Sequence, residues 1–134
     1  MTIEPHVTVP FLSLARPATP VVVGEIRRDV RAFAERHGAG PDALAAIELA
    51  VSEAVANAVV HGSIDGADTV LVEADVEEGE LEIVVVDAGP GFTPGPVPGL
   101  GLGLGLMRDG ALAFEIRDRP SGGVEIWMRF PLGE

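Results

Sequence analysis

The sequence predicts an α+β fold, a two-layer α/β sandwich in which a mixed, mainly antiparallel sheet carries its helices on one face. Two helical patterns follow one another near the start, the later strand patterns are joined as hairpins, and strict strand–helix alternation is missing. His6–Leu14 alternates weakly through Val7, Val9 and Phe11 and is closed by Pro17 and Pro20; Pro10 inside it predicts an edge strand. Over Val21–His37, the residues Val22, Val23, Ile26, Val30, Phe33 and Ala34 recur at helical spacing until Gly38 and Gly40 stop the pattern. Pro41-Asp42 opens a second, alanine-rich helix from Ala43 to about His61, with Gly62 as its C-terminal cap. Val70–Val76 and Leu81–Val86 read as strands joined by the polar turn Glu77-Glu78-Gly79-Glu80. Ala88–Leu100 is too rich in glycine and proline for regular structure and reads as a loop with the makeup of a lid. Gly101–Ala113 begins as a glycine-rich turn and continues as a short helix, and strands at Ala113–Arg117 and Val124–Phe130, joined by Pro120-Ser121-Gly122-Gly123, complete the pattern.

Composition narrows the function classes. A chain of 134 residues is the size of one domain, so residues 1–134 are expected to share a single core. No apolar run reaches the roughly 18 residues of a membrane span, and Met1-Thr2-Ile3-Glu4-Pro5 does not open an export signal, so a soluble, cytoplasmic protein with no membrane partner is expected. The absence of cysteine excludes disulfides, thiolate catalysis and cysteine-bound zinc. A formal net charge of −12 argues against nucleic acid as a partner, because phosphate backbones would be repelled. All nine basic residues are arginine, and Arg27, Arg28, Arg31 and Arg36 fall within one short segment; the cluster is either a docking surface or a solvated helix face.

Three pieces could carry chemistry. In the second helix, Glu53 and Asn57 are four residues apart and share one face, with His61 a further turn along. That stripe either faces water or serves a site. In the second case the Asn57 side-chain oxygen joins phosphate oxygens and waters around Mg²⁺, which takes octahedral oxygen ligation with few protein ligands, and Glu53 accepts a proton from an attacking hydroxyl. The second piece is Asp87-Ala88-Gly89-Pro90-Gly91-Phe92, either an ordinary strand-ending turn or a carboxylate placed to accept a hydrogen bond from the exocyclic amine of adenine, with glycines that let the backbone approach the ring. In the third, Gly99–Met107, glycine at every second position leads towards a helix and can aim backbone N–H groups at phosphates. The dinucleotide fingerprint GxGxxG fails there because its last position is leucine, and a P-loop fails because the chain has no lysine. His61 suits a helix C-terminus, where its charge meets the dipole, and Trp127, alternating with Ile126 and Met128, reads as packing.

Taken in order, these pieces resemble the GHKL (Bergerat-fold) ATPase superfamily of gyrase, Hsp90, MutL and histidine kinases. Glu53-x-x-x-Asn57 is similar to its N-box, Asp87-x-Gly89-x-Gly91 to its G1 box and Gly101–Gly105 to its G2 box. SEAVANAVVHG, DAGPGF and GLGLM most resemble the anti-sigma-factor serine/threonine kinases, over roughly residues 20 to 131. The resemblance implies ATP and Mg²⁺ as cofactors, with Asn57 at the metal, Glu53 as general base and Asp87 on the adenine amine. It places Gly89 and Gly91 at the nucleotide, and Gly101, Gly103, Leu104 and Gly105 around the phosphates. It implies γ-phosphoryl transfer to a STAS-domain anti-sigma-factor antagonist, capture of a sigma factor, a homodimer, and a partner surface on the first helix that Arg27, Arg28 and Arg31 fit. The chain departs from the family where Pro98 stands near the position of a basic residue before G2, and where Gly123-Val124 replaces Gly-Thr; Arg108 is a candidate substitute for the basic residue. The alternative reading is a non-catalytic partner-binding module with a degenerate nucleotide pocket. The catalytic domain of a split histidine kinase fits less well, since no separate helical phosphoacceptor segment is visible in the sequence.

Overall fold

The computed structural model of the chain describes residues 11–62, 69–87, 111–118 and 123–133. Their order is β1 (Phe11–Pro17), α1 (Pro20–Arg36), α2 (Pro41–Gly62), β2 (Thr69–Glu77), β3 (Glu80–Asp87), β4 (Ala113–Asp118) and β5 (Val124–Pro131). The strands form one sheet in the order β1-β2-β3-β5-β4. Every neighbouring pair among the described residues is antiparallel, in keeping with the mainly antiparallel sheet expected from the sequence. The short helix expected within 101–113 and the loop over 88–100 lie outside the described residues.

Strand alternation defines the inner face. Leu81, Ile83 and Val85 of β3 are buried beside Val70, Val72 and Ala74 of β2 and Val124, Ile126, Met128 and Phe130 of β5. Helix α1 adds Val22, Ile26, Val30, Phe33 and Ala34, and α2 adds Ala43, Leu44, Ile47, Ala50, Val51, Ala54, Val55 and Ala58. These positions recur every three or four residues, the spacing that lays one stripe of a helix against a sheet. Full burial of Ile26 and Ile47 contributes about 1.5–3 kcal/mol each. Small side chains let α2 lie against β2, β3 and β5 while α1 packs beside it and on β1. By length and composition, Pro41–Val60 is apolar enough to cross a membrane; in this fold its inward positions supply the core between the sheet and α1.

The first strand differs from its expected frame. The weak alternation runs through Val7, Val9 and Phe11, whereas in the structure Leu14 is buried, Leu12 packs against the core and Phe11 is 57% exposed. Pairing decides this: Leu12 and Leu14 stand opposite Ala74 and Val72, inner-face residues of β2, and a shift of one residue exchanges the two faces of a strand. The strand runs on to Pro17 opposite Thr69, which an edge strand tolerates because proline lacks only a donor. The expectation for His6–Pro10 lies outside the described residues.

Helix ends and turns follow local chemistry. Pro20 opens α1 at a position whose N–H would have no helical acceptor. At the other end, Ala39 N–H bonds to Ala34 O at 3.0 Å and Gly38 N–H to Glu35 O at 3.1 Å, the paired closure made by a left-handed residue after the cap. Gly38 supplies that residue, with φ of 96° and open space where a Cβ would stand. Gly38→Ala is therefore expected to cost about 1–2 kcal/mol through backbone conformation alone, read as a lowered urea midpoint with an unchanged denaturant slope. The β2–β3 turn has Glu78 at φ 54° and Gly79 at φ 78°, the two-residue geometry that matches the twist of a hairpin.

Candidate functional site

Helix α2 and strand β3 start at the same end of the molecule. Gly40 N–H, just before α2, bonds to Leu132 O at 3.2 Å, and Leu132 N–H bonds to Gly79 O in the β2–β3 turn at 2.9 Å. From that shared origin Asn57 lies about 24 Å along α2 at 1.5 Å per residue. Asp87 lies about 23 Å along β3 at 3.3 Å per residue. With α2 packed on β3, both arrive at the opposite end of the sheet, the end from which residues 88–110 depart.

Asp87 continues the inner-face series of Leu81, Ile83 and Val85 and is 6% exposed, the buried charged residue among those described. It stands in register between Val70 of β2 and Val124 of β5, both buried. A carboxylate at the end of a central strand, walled by valines and turned towards the helices, costs free energy to bury unless hydrogen bonds meet it. Gly123, immediately before Val124, has φ of 91°, so the backbone beside Asp87 takes a conformation that favours glycine.

On α2, Asn57 borders the buried stripe beside Ala54 and Ala58, and Glu53 lies one turn earlier and is half-buried. The Asn57 Nδ2 atom is buried and has no hydrogen-bond partner among the described residues. Oxygen and nitrogen of a side-chain amide exchange places by rotation of the group, so the finding is one buried amide with unused hydrogen-bonding capacity. Such a group costs about 1–3 kcal/mol, an outlay more easily explained by a ligand than by packing. The open alternatives for the helix stripe thus separate: Asn57 does not simply face water, and Glu53 is half-buried.

These observations fit a nucleotide with a divalent cation. Among the described residues no group of three or more His, Cys, Asp or Glu is arranged to hold a metal, whereas Mg²⁺ bound through phosphates needs only one or two protein oxygens. Asn57 can offer one, and Asp87 can accept a hydrogen bond from a base amine. Gly89, Gly91, Gly101, Gly103, Leu104 and Gly105, with Pro98, Arg108 and the His61 side chain, lie outside the described residues.

The arginines of α1 are placed elsewhere. Glu48 of α2 meets Arg31 at 3.0 Å and Arg27 at 4.0 Å, on the flank of α2 that faces α1. Glu53 and Asn57 lie about 140° and 180° further round the helix at about 100° per residue. Arg16 reaches Asp29 at 3.8 Å, and the Arg36 guanidinium lies 5.9 Å from the Phe33 ring. The Arg27–Glu48–Arg31 group was not read from sequence; its signal was a carboxylate interrupting the apolar second helix one turn before Ser52.

Trp127 packs, but on the outer sheet face rather than in the core. Its ring lies 4.2 Å from the Arg117 guanidinium, and its Nε1–H donates to Glu125 Oε1 at 2.9 Å. Arg117 also donates to Glu115, which holds that carboxyl below its ordinary range. On the same face, burial and the Glu82, Glu77 and Glu73 carboxylates push the Asp75 carboxyl above its usual range. That face has the charge and chemistry of a solvated surface, distinct from the inner face where Asp87 lies.

Comparison with known proteins identifies the family and the fold. Residues 16–130 match the family described as Histidine kinase-like ATPase domain. A serine-protein kinase RsbW from Bacillus licheniformis is 37% identical over 83 residues, covering 61% of this chain and 52% of that protein. The anti-sigma F factor of Clostridium perfringens is 40% identical over 70 residues, covering 52% of this chain and 50% of that one. The chain thus spans about half the length of the relatives it matches. Among solved structures, the RsbU and RsbW domains of a Mycobacterium tuberculosis protein superpose with a TM-score of 0.74 at 25% identity, covering 92% of this chain and 32% of that one. The α+β sandwich with helices on one face is the architecture they share.

Proposed function

The chain belongs to the Histidine kinase-like ATPase domain family, and from that premise we propose that it is an anti-sigma-factor-type serine/threonine kinase that binds Mg-ATP at the Asn57–Asp87 end of the sheet. The observation that carries this reading is the buried Asn57 Nδ2, without a hydrogen-bond partner among the described residues, on the helix that also bears Glu53, at the same end of the molecule as the buried Asp87 carboxylate. The names of the relatives, serine-protein kinase and anti-sigma factor, supply the reaction class and the kind of partner.

In this reading Asp87 accepts a hydrogen bond from the adenine amine, which guanine, with an oxygen at that position, cannot donate. Asn57 presents its amide oxygen to Mg²⁺, and Gly89 and Gly91 let the backbone close on the base. Gly101, Gly103, Leu104 and Gly105 surround the phosphates. The bound metal supplies charge neutralisation on the transferring phosphoryl group. Glu53 takes the proton from a serine or threonine hydroxyl as its oxygen bonds to the γ-phosphorus and the bond to ADP breaks. The acceptor is a STAS-domain antagonist, the captured partner is a sigma factor, and the protein acts as a cytoplasmic homodimer with Arg27, Arg28 and Arg31 on its partner surface.

A second reading, a stoichiometric capture module with a degenerate pocket, is favoured by one feature: no basic residue stands between Phe92 and Gly101 to meet the γ-phosphate. Calorimetric titration with Mg-ATP and Mg-GTP separates the two. Micromolar ATP affinity with little GTP binding supports the nucleotide site; no heat from either supports capture alone.

A further inference from the structure

Given the reading that protein partners dock on α1, we propose that Glu48 is a built-in competitor for the acidic side chains of the partner. Its carboxylate meets Arg31 Nη1 through Oε2 at 3.0 Å and Arg27 Nε through Oε1 at 4.0 Å. One internal carboxylate thus occupies two of the arginines on that surface. Arg28 is exposed and has no carboxylate partner among the described residues.

Gly24 shows how the guanidiniums are gathered. A Cβ on Gly24 would meet Arg28 Nη1 at 3.4 Å and Arg27 Nη2 at 3.7 Å. Two like charges therefore lean over one bare stretch of helix, at a position where glycine costs about 1 kcal/mol relative to alanine. Converging guanidiniums suit carboxylates, which they grip through paired N–H donors. Arg27 sits at the junction, with Nε turned to Glu48 and Nη2 over Gly24.

The internal pairs are built to exchange. Arg27, Arg31 and Glu48 retain 40%, 48% and 27% side-chain exposure, and ion pairs this open contribute little net stability. An acidic segment crossing α1 would take Arg28 directly and Arg27 and Arg31 from Glu48, whose carboxylate would turn to water. The occupant is a carboxylate-bearing protein segment, because the group that already fills these guanidiniums in the free chain is itself a side-chain carboxylate.

The test is fluorescence anisotropy with a fluorescein-labelled hexaglutamate peptide at low ionic strength. Glu48→Gln is expected to bind it about two- to fivefold tighter than the parent, the range of an exposed ion pair, and Glu48→Asp should change affinity in the same direction. The gain should disappear in the Arg27→Ala/Arg31→Ala background. Unchanged or weaker binding by Glu48→Gln, or an equal gain without the arginines, overturns the competitor. If the parent binds and the double arginine variant does not, docking on α1 stands even where the competitor fails. No peptide binding by any form removes both. Mg-ATP titration of the same samples reports on the nucleotide site separately.

Discussion

Asn57→Ala is expected to weaken Mg-ATP binding by about two orders of magnitude, the weight of a charge-assisted contact of about 2–3 kcal/mol, while making the nucleotide-free protein more stable. The second half of that expectation comes from the structure. In the wild-type chain Nδ2 is buried without a partner among the described residues, so truncation removes an uncompensated polar group and replaces a mediocre helix former with the best one. A gain of about 1 kcal/mol in unfolding free energy is expected. Calorimetry and urea unfolding on one preparation check the two halves. Lost binding with lost stability would make Asn57 a structural residue, and unchanged affinity would remove it from the nucleotide site. Opposite signs for stability and binding are what a residue kept for its ligand should give.

The parts of the site that were legible in the sequence are those fixed by local periodicity. Asp87 follows Leu81, Ile83 and Val85 at a spacing of two, so its inward direction is carried by the strand itself. The placement of Glu53 and Asn57 on one flank of α2 follows in the same way from their spacing of four. Both helices begin and end within two residues of their sequence signals, because proline, glycine and capping geometry act over a single turn. What was not legible depends on pairing between distant segments. Phe11 and Leu12 offer apolar side chains in both frames of β1, and only the register with Ala74 and Val72 chooses between them. Trp127 has apolar neighbours along its strand, yet alternation sets it on the face opposite Ile126 and Met128, where Arg117 of β4 covers it. The contact of Glu48 with Arg27 and Arg31 joins two helices across the Gly38–Gly40 turn, and no pattern within either helix specifies it.

Position on the helix also separates Glu48 from Glu53, two of the three carboxylates of α2. Glu48 faces α1, with Arg31 at 3.0 Å and Arg27 at 4.0 Å. Glu53, on the other flank, is half-buried beside the Asn57 amide, with no arginine ion pair among the described residues. It is the carboxylate we propose as the acceptor of the proton from an incoming hydroxyl. Glu53→Gln keeps the size and polarity of the side chain and removes only that capacity. It is expected to bind Mg-ATP within about twofold of wild type while slowing phosphoryl transfer by about 10²–10⁴-fold, the range for loss of a positioned general base. Transfer is measured with γ-labelled ATP and a STAS-domain acceptor, and affinity by titration of the same sample. Near-normal transfer would dismiss Glu53 as the base and leave positioning by the nucleotide site to account for the rate. A parallel loss of ATP affinity would place Glu53 in the binding of the nucleotide instead, because a base needed only in the transition state contributes nothing to the ground-state complex.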